Sequence, residues 1–171
     1  EVLLDEFQVN TYTENSQERP SVAVLPNGNF IIAWESNGQD GSDNGVYAKI
    51  FDASGEVVKE EFLVNSTYTN QRQEDSDIIV GNDGTFAIIW EGYGEGVNSN
   101  IGLFVQRYDL NGDTIGEVLQ VDDTRSYHKE ATLLQDGNII ITWIGKDANG
   151  DEKVMIRTID ANHAPVSNDD S

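Results

Sequence analysis

Apolar and polar positions along this chain follow one phrase, written three times. Each copy runs through a polar loop, a short strand, an Asx-Gly turn and a nearly continuous apolar run ending in Trp. A loop rich in Gly and Asp follows, then a third strand, a second turn and a fourth strand. The anchors Trp34, Trp90 and Trp143 lie 56 and 53 residues apart. Four short strands at that period predict a propeller or a similar array, whose units bury their apolar faces only against neighbours.

Three stretches align without a gap where each unit begins: 17–22, 73–78 and 126–131. The turns Asn27-Gly28, Asp83-Gly84 and Asp136-Gly137 predict type I′ hairpins. The runs Phe30–Trp34, Phe86–Trp90 and Ile139–Trp143 suit strands covered on both faces. Third strands fall at Val46–Phe51, Leu103–Tyr108 and Val154–Ile159, and fourth strands at Glu61–Val64 and Val118–Val121. The third unit has no fourth strand of its own, yet Glu6-Phe7-Gln8-Val9-Asn10 copies Glu61-Phe62-Leu63-Val64-Asn65. The expectation is an all-β domain over 1–160 with three four-stranded repeats and pseudo-threefold symmetry. Its last unit is closed by the N-terminal strand, which removes two exposed sheet edges. A trefoil-like barrel, a β-sandwich or a dimeric six-unit ring accommodates the same repeats. Residues 161–171 are polar, contain Pro165 and read as a linker to a following domain.

Charge narrows the partners. Thirty-one acidic residues against ten basic ones give a formal net charge of −21. That sign repels phosphate backbones and anionic membranes, and no apolar stretch is long enough to span a bilayer. Carboxylates at this density serve solubility, or they gather around Ca²⁺, a hard cation that takes several oxygen ligands. With no Cys, thiol catalysis, zinc-thiolate sites and disulfides are excluded.

Oxygen-bearing side chains alternate at Asp40-x-Ser42-x-Asn44, with Asp43 beside them, and at Asp147-x-Asn149-x-Asp151. These are the candidate calcium loops. The same spacing at Asp109-x-Asn111-x-Asp113 is better explained as a hairpin turn. No distal Glu completes an EF-hand. Asp77 and Glu130 occupy one aligned position, matched by Ser21, and begin strands that otherwise read apolar. An acid there is a metal or ligand site, or it sits on the rim facing water. Arg19, Asp75 and His128 are likewise equivalent to one another, and three different residues at one symmetric position suggest symmetry broken for a ligand. Tyr12, Tyr68, Tyr93 and Tyr127 fall in loops and offer contact surface, whereas the Trp residues read as core. The loops before the first strand and after the second share one face, which also gathers Glu18, Glu95, Asn98 and Asn100.

The run from Glu6 to Thr13, the segment Pro20–Ala23, the Trp34 strand, Asn37-Gly38-Gln39-Asp40-Gly41-Ser42 and Val46-Tyr47-Ala48 together resemble a repeat of very large secreted bacterial RTX adhesins. The stretch 162–170 resembles the lead into a following domain of such proteins. The likeness spans nearly the whole chain and weakens in the third unit, at Ser126-Tyr127-His128-Lys129. It implies an extracellular, calcium-rich setting on the surface of a Gram-negative cell. It also implies a non-enzymatic module that binds a host-surface peptide, held by its C-terminal carboxylate. Tyr12, Arg19, Asp75, Tyr127 and His128 would be the ligand-binding set. The metal set would be Asp40, Ser42, Asp43, Asp77, Glu130, Asp147, Asn149 and Asp151. A glycan-binding module and a passive calcium-stabilised extender are the alternatives. Propeller glycosidases also work with carboxylates, but catalysis ranks below binding because no Arg cluster or nucleophile elbow is visible.

Overall fold

The structure, a computed structural model, describes residues 4–67, 69, 72–93 and 101–160. The proposed linker 161–171 and the loop residues Tyr68, Glu95, Asn98 and Asn100 lie outside the described residues. Eleven strands and no helix are present among the described residues. They form three antiparallel sheets. The first holds β1 (Gln17–Val24), β2 (Phe30–Asn37), β3 (Asn44–Phe51) and β4 (Val57–Leu63). The second holds β5 (Arg72–Val80), β6 (Thr85–Tyr93), β7 (Gly102–Asp109) and β8 (Thr114–Asp122). The third has only β9 (Tyr127–Leu133), β10 (Ile139–Lys146) and β11 (Glu152–Ile159), in the order β11-β10-β9.

The Trp-bearing strand of the middle sheet is covered on both faces, as its apolar run predicts, while those of the two outer sheets are fully covered on one. In β6, Phe86, Ile88 and Trp90 join a core with Ile31, Ala33 and Ile50 of the first sheet. Ala87 and Ile89 join a second core with Ile139, Ile141 and Trp143 of the third. Every sheet therefore turns its Trp face backward and its other face forward. The first strands β1, β5 and β9 run side by side through the stack, with β5 touching both others.

Two expectations need correction. The Asx-Gly turns are not type I′, because Gly28, Gly84 and Gly137 have positive φ while the Asx residues before them do not. Leu25 N–H donates to the Asn29 carbonyl and Gly28 N–H to the Leu25 carbonyl, so each turn is wider than a two-residue loop. The N-terminal segment does not close the third sheet. Residues 5–10 form no strand. Phe7 instead packs edge-on against Phe51 of the first sheet, 5.5 Å between ring centroids, and Thr11 N–H donates to Glu61. Among the described residues the three sheets form an open array, with neither barrel nor ring.

Candidate functional site

Each first strand carries a β-bulge at the aligned position that the sequence singles out. The ladder slips between Glu18 and Ser21, between Glu74 and Asp77, and opposite Thr142 and Ile144. At the heart of each bulge stands a non-glycine residue in the left-handed region: Arg19 at φ 48°, Asp75 at 54° and His128 at 52°. Non-glycine residues rarely adopt that conformation, which costs on the order of 1–3 kcal/mol each. A bulge bends its strand and re-aims a side chain. Here the three strained residues converge on one pocket with Glu74, Glu91, Tyr93 and Tyr127. Arg19, Asp75, Tyr127 and His128 thus line one pocket.

Two carboxyls that the sequence reading passed over complete the site. Glu35 and Glu91 each directly follow a Trp and sit 1% and 3% exposed at strand ends that otherwise read as core. Glu35 Oε1 accepts the backbone N–H of Asp75 at 2.7 Å and pairs with Arg19 at 3.2 Å. Arg19 also reaches Glu74 at 3.2 Å, and Arg72 meets the same Glu74 oxygen at 2.6 Å. Lys129, buried, pairs with Asp75 at 3.0 Å. Burial raises the pKa of Glu35 above the usual carboxylate value, outweighing the Asp75 amide and the Arg19 charge. Arg19 is held more firmly protonated, chiefly by Glu35.

Glu91 is the counterpart of Glu35 with a different outcome. Its Oε2 accepts the Tyr93 hydroxyl, while its Oε1 is buried without a hydrogen-bond partner among the described residues. Burial raises its pKa, and the nearby charges of Asp75 and Glu74 push the same way, against Tyr93 and Lys129. The Tyr93 phenol is itself pushed well above its ordinary value by burial and by Glu91. Arg125 lies over the Tyr93 ring at 5.2 Å and the Tyr127 ring at 5.8 Å, forming an aromatic-guanidinium wall. The sequence signal for Glu91 was an acid at the end of a doubly covered strand, costly to bury without a purpose.

Other expected site residues lie elsewhere. Tyr12 sits near Gly38, away from the pocket. Asp77 and Glu130 are solvent-exposed, which is the rim reading of that position. Their neighbours Ser76 and Lys129 are the buried ones, because the bulge offsets the strand's alternation. The Asp147 loop is a tight turn rather than a long loop: Asp147 Oδ1 accepts the N–H groups of Asn149 and Asp151 at 2.9 and 3.0 Å, and Lys153 pairs with both acids. Its oxygens are committed to the hairpin, as in the turns of Asp52 and Asp109, so it does not fit a metal loop. The Asp40 loop differs. Asp40 Oδ1 accepts the Ser42 N–H, but Asp40 Oδ2 and Gln39 Oε1 are buried without partners among the described residues. Gln39 Nε2 donates to Glu61 at 2.5 Å, and the nearby acids help burial push the Tyr47 phenol up to about 12. Asp43 is tied to Asn37 at 3.1 Å. No cluster of three or more metal-ligating His or carboxylate side chains is preformed among the described residues.

No family model and no curated protein matches this chain. Solved structures do. An endo-arabinase from Bacteroides thetaiotaomicron VPI-5482 matches over 84% of this chain and 56% of its own, at TM-score 0.50 and 14% identity. A GH43 endo-arabinanase from Bacillus licheniformis matches over 81% and 52%, at TM-score 0.43 and 15% identity. The chain spans about half the length of each. At that identity the likeness concerns the fold alone, and of the expected architecture it supports the coarser part, an all-β array of antiparallel sheets. It also corrects the reading of the chain as non-enzymatic, since the first of these folds belongs to an enzyme.

Proposed function

We propose that the pocket around Asp75, Glu91 and His128 binds a neutral saccharide and that Glu91 acts there as a general acid on a glycosidic bond. The observation that carries this reading is the unpartnered Glu91 Oε1, buried beside the pocket on a carboxyl that burial keeps protonated above the usual range. A carboxyl raised by its environment and set among further carboxyls is an arrangement that glycoside hydrolysis uses. Asp75 and Glu74 are the partner carboxylates, and the Arg125-Tyr127 wall offers a flat face for a sugar ring. The fold shared with an endo-arabinase is consistent with this chemistry. A peptide carboxylate fits less well, because Arg19 already lies between Glu35 and Glu74.

Binding of the labelled protein to an array of neutral polysaccharides, with free-carboxylate peptides as competitors, tests the ligand class. Saccharide binding that peptides do not compete away supports the reading; peptide binding alone overturns it.

A second reading rests on Asp40. Its unpartnered oxygen, with those of Gln39 and Glu61, suits a hard cation such as Ca²⁺, which would stabilise the loop of an extracellular adhesin module without entering the pocket. Calorimetric titration with Ca²⁺ tests it, and heat that Asp40→Asn leaves unchanged overturns it.

A further inference from the structure

The segment 4–10 occupies the place of a fourth strand whose sheet is missing. By the internal repeat, Phe7 corresponds to Phe62, Phe51 to Tyr108, Leu4 to Lys59 and Gly55 to Gly112. Phe62 of β4 packs on Tyr108 of the second sheet, 5.6 Å between centroids at 55°. Phe7 packs on Phe51 of the first sheet at 5.5 Å and 61°. Lys59 closes over Gly112, 2.8 Å from where a Cβ would sit, and Leu4 closes over Gly55 at 3.4 Å. The N-terminal segment therefore lies against the first sheet as β4 lies against the second. At the other end, the third sheet has no fourth strand beside β11 among the described residues, where both other sheets have one.

The faces at the two ends match in the same way. The first sheet's Trp face, which in the other two sheets is covered by the preceding sheet, has only the N-terminal segment over β3 and is open along β1: Val22 and Val24 are 68% and 71% exposed. A groove of about 440 Å³ runs over Val9, Pro20, Ile32 and Trp34 on that face. Trp34 Nε1 is buried without a partner among the described residues, whereas Trp143 Nε1 donates to Asp122 of the preceding sheet at 2.7 Å. The third sheet's forward face is bare too, with Val154 and Ile156 79% and 67% exposed.

We propose that the occupant of both faces is a second copy of this chain, packed head to tail, with residues 6–10 of each copy added as the fourth strand beside β11 of the other. One backward face meets one forward face at each of two identical junctions, so the contact closes after two copies. Six sheets fall within the usual range of about four to eight for a propeller, which three do not. Strand addition satisfies the open edge of β11. The register follows from the repeat. Ala48 pairs with Phe62 and Val105 with Leu119, which sets Ile156 of one copy opposite Phe7 of the other.

The chain has no Cys, so a single engineered pair reports this contact. Directly opposed strand residues lie close enough for a disulfide. Light scattering of the purified full chain is expected to give twice the chain mass, and the Phe7→Cys/Ile156→Cys variant to form disulfide-linked dimers on oxidation. Val22→Asp and Ile156→Asp, both at exposed positions, are each expected to give monomers. An equimolar mixture of the two is expected to regain dimer mass through the one junction left intact. A monomeric wild type overturns the proposal and leaves the faces to further repeats of the same polypeptide. A dimer that both aspartates leave intact, or a cysteine pair that closes within one chain, overturns it equally.

Discussion

The backbone N–H of Asp75 donates to Glu35 Oε1 at 2.7 Å and ties the second sheet to the first at the point where β5 is most strained. The equivalent carboxyl one sheet further on, Glu91, leaves its Oε1 unpaired among the described residues. One repeat position thus does two jobs. In the first copy it secures a junction; in the second it faces a pocket.

Substitution at these two positions should separate structure from function. Glu35→Ala leaves the Asp75 amide and half of the Arg19 pairing unsatisfied, a loss of about 1–3 kcal/mol. Glu91→Gln replaces a carboxyl whose pKa burial raises with a neutral isostere and should change stability by less than about 1 kcal/mol. Urea unfolding of both variants checks the contrast.

Stability should carry the signature of these raised carboxyls. Between the ordinary glutamate value of 4.5 and its raised native value, Glu91 keeps a proton that the unfolded chain has lost. The native state binds more protons there, so stability falls as pH rises through that window. Glu35 contributes with the same sign. Urea unfolding from pH 4.5 upward should show a shallower fall for Glu91→Gln than for the wild type. The Tyr93 hydrogen bond favours the Glu91 carboxylate, so Tyr93→Phe should move the Glu91 carboxyl titration to still higher pH, read by carbon NMR.

Much of the fold was written in the repeat. The Trp spacing, the doubly apolar strands and the Asx-Gly turns place all three sheets. The aligned trio Arg19, Asp75 and His128 marks the bulges that meet at the pocket. What sequence could not show was closure. A copy of a fourth strand says which sheet type it completes, not which molecule supplies that sheet, and three sheets stack without meeting. Glu35 and Glu91 were hidden because an acid at the end of an apolar run looks like the start of a loop. Asp147 misled for the opposite reason: alternating oxygens are also what a tight Asx hairpin requires.

Gly102 marks a close approach between strands. It has φ 126°, and a Cβ there would lie 1.9 Å from the Asp122 carbonyl oxygen. Gly102→Ala should destabilise by more than about 1 kcal/mol, since both the backbone conformation and the space are incompatible with a side chain. A thermal melt shows this, and Gly28→Ala, with open space around it, provides the milder comparison.

Calcium, if held by the Asp40 loop, should raise the thermal midpoint. A hundredfold excess over Kd corresponds to about 2.7 kcal/mol. Asp40→Asn should abolish the shift, while Asp147→Asn should keep it, because the Asp147 oxygens serve their own turn. Melts of the three proteins with Ca²⁺ and with a chelator make the comparison.

The most direct measurement is release of reducing ends from a panel of neutral polysaccharides, arabinan among them, by wild type and by Glu91→Gln, with binding followed in parallel. The account predicts that both proteins bind a common polysaccharide and that only the wild type cleaves it. Cleavage by Glu91→Gln at the wild-type rate, or no saccharide bound by the wild type at all, would contradict it.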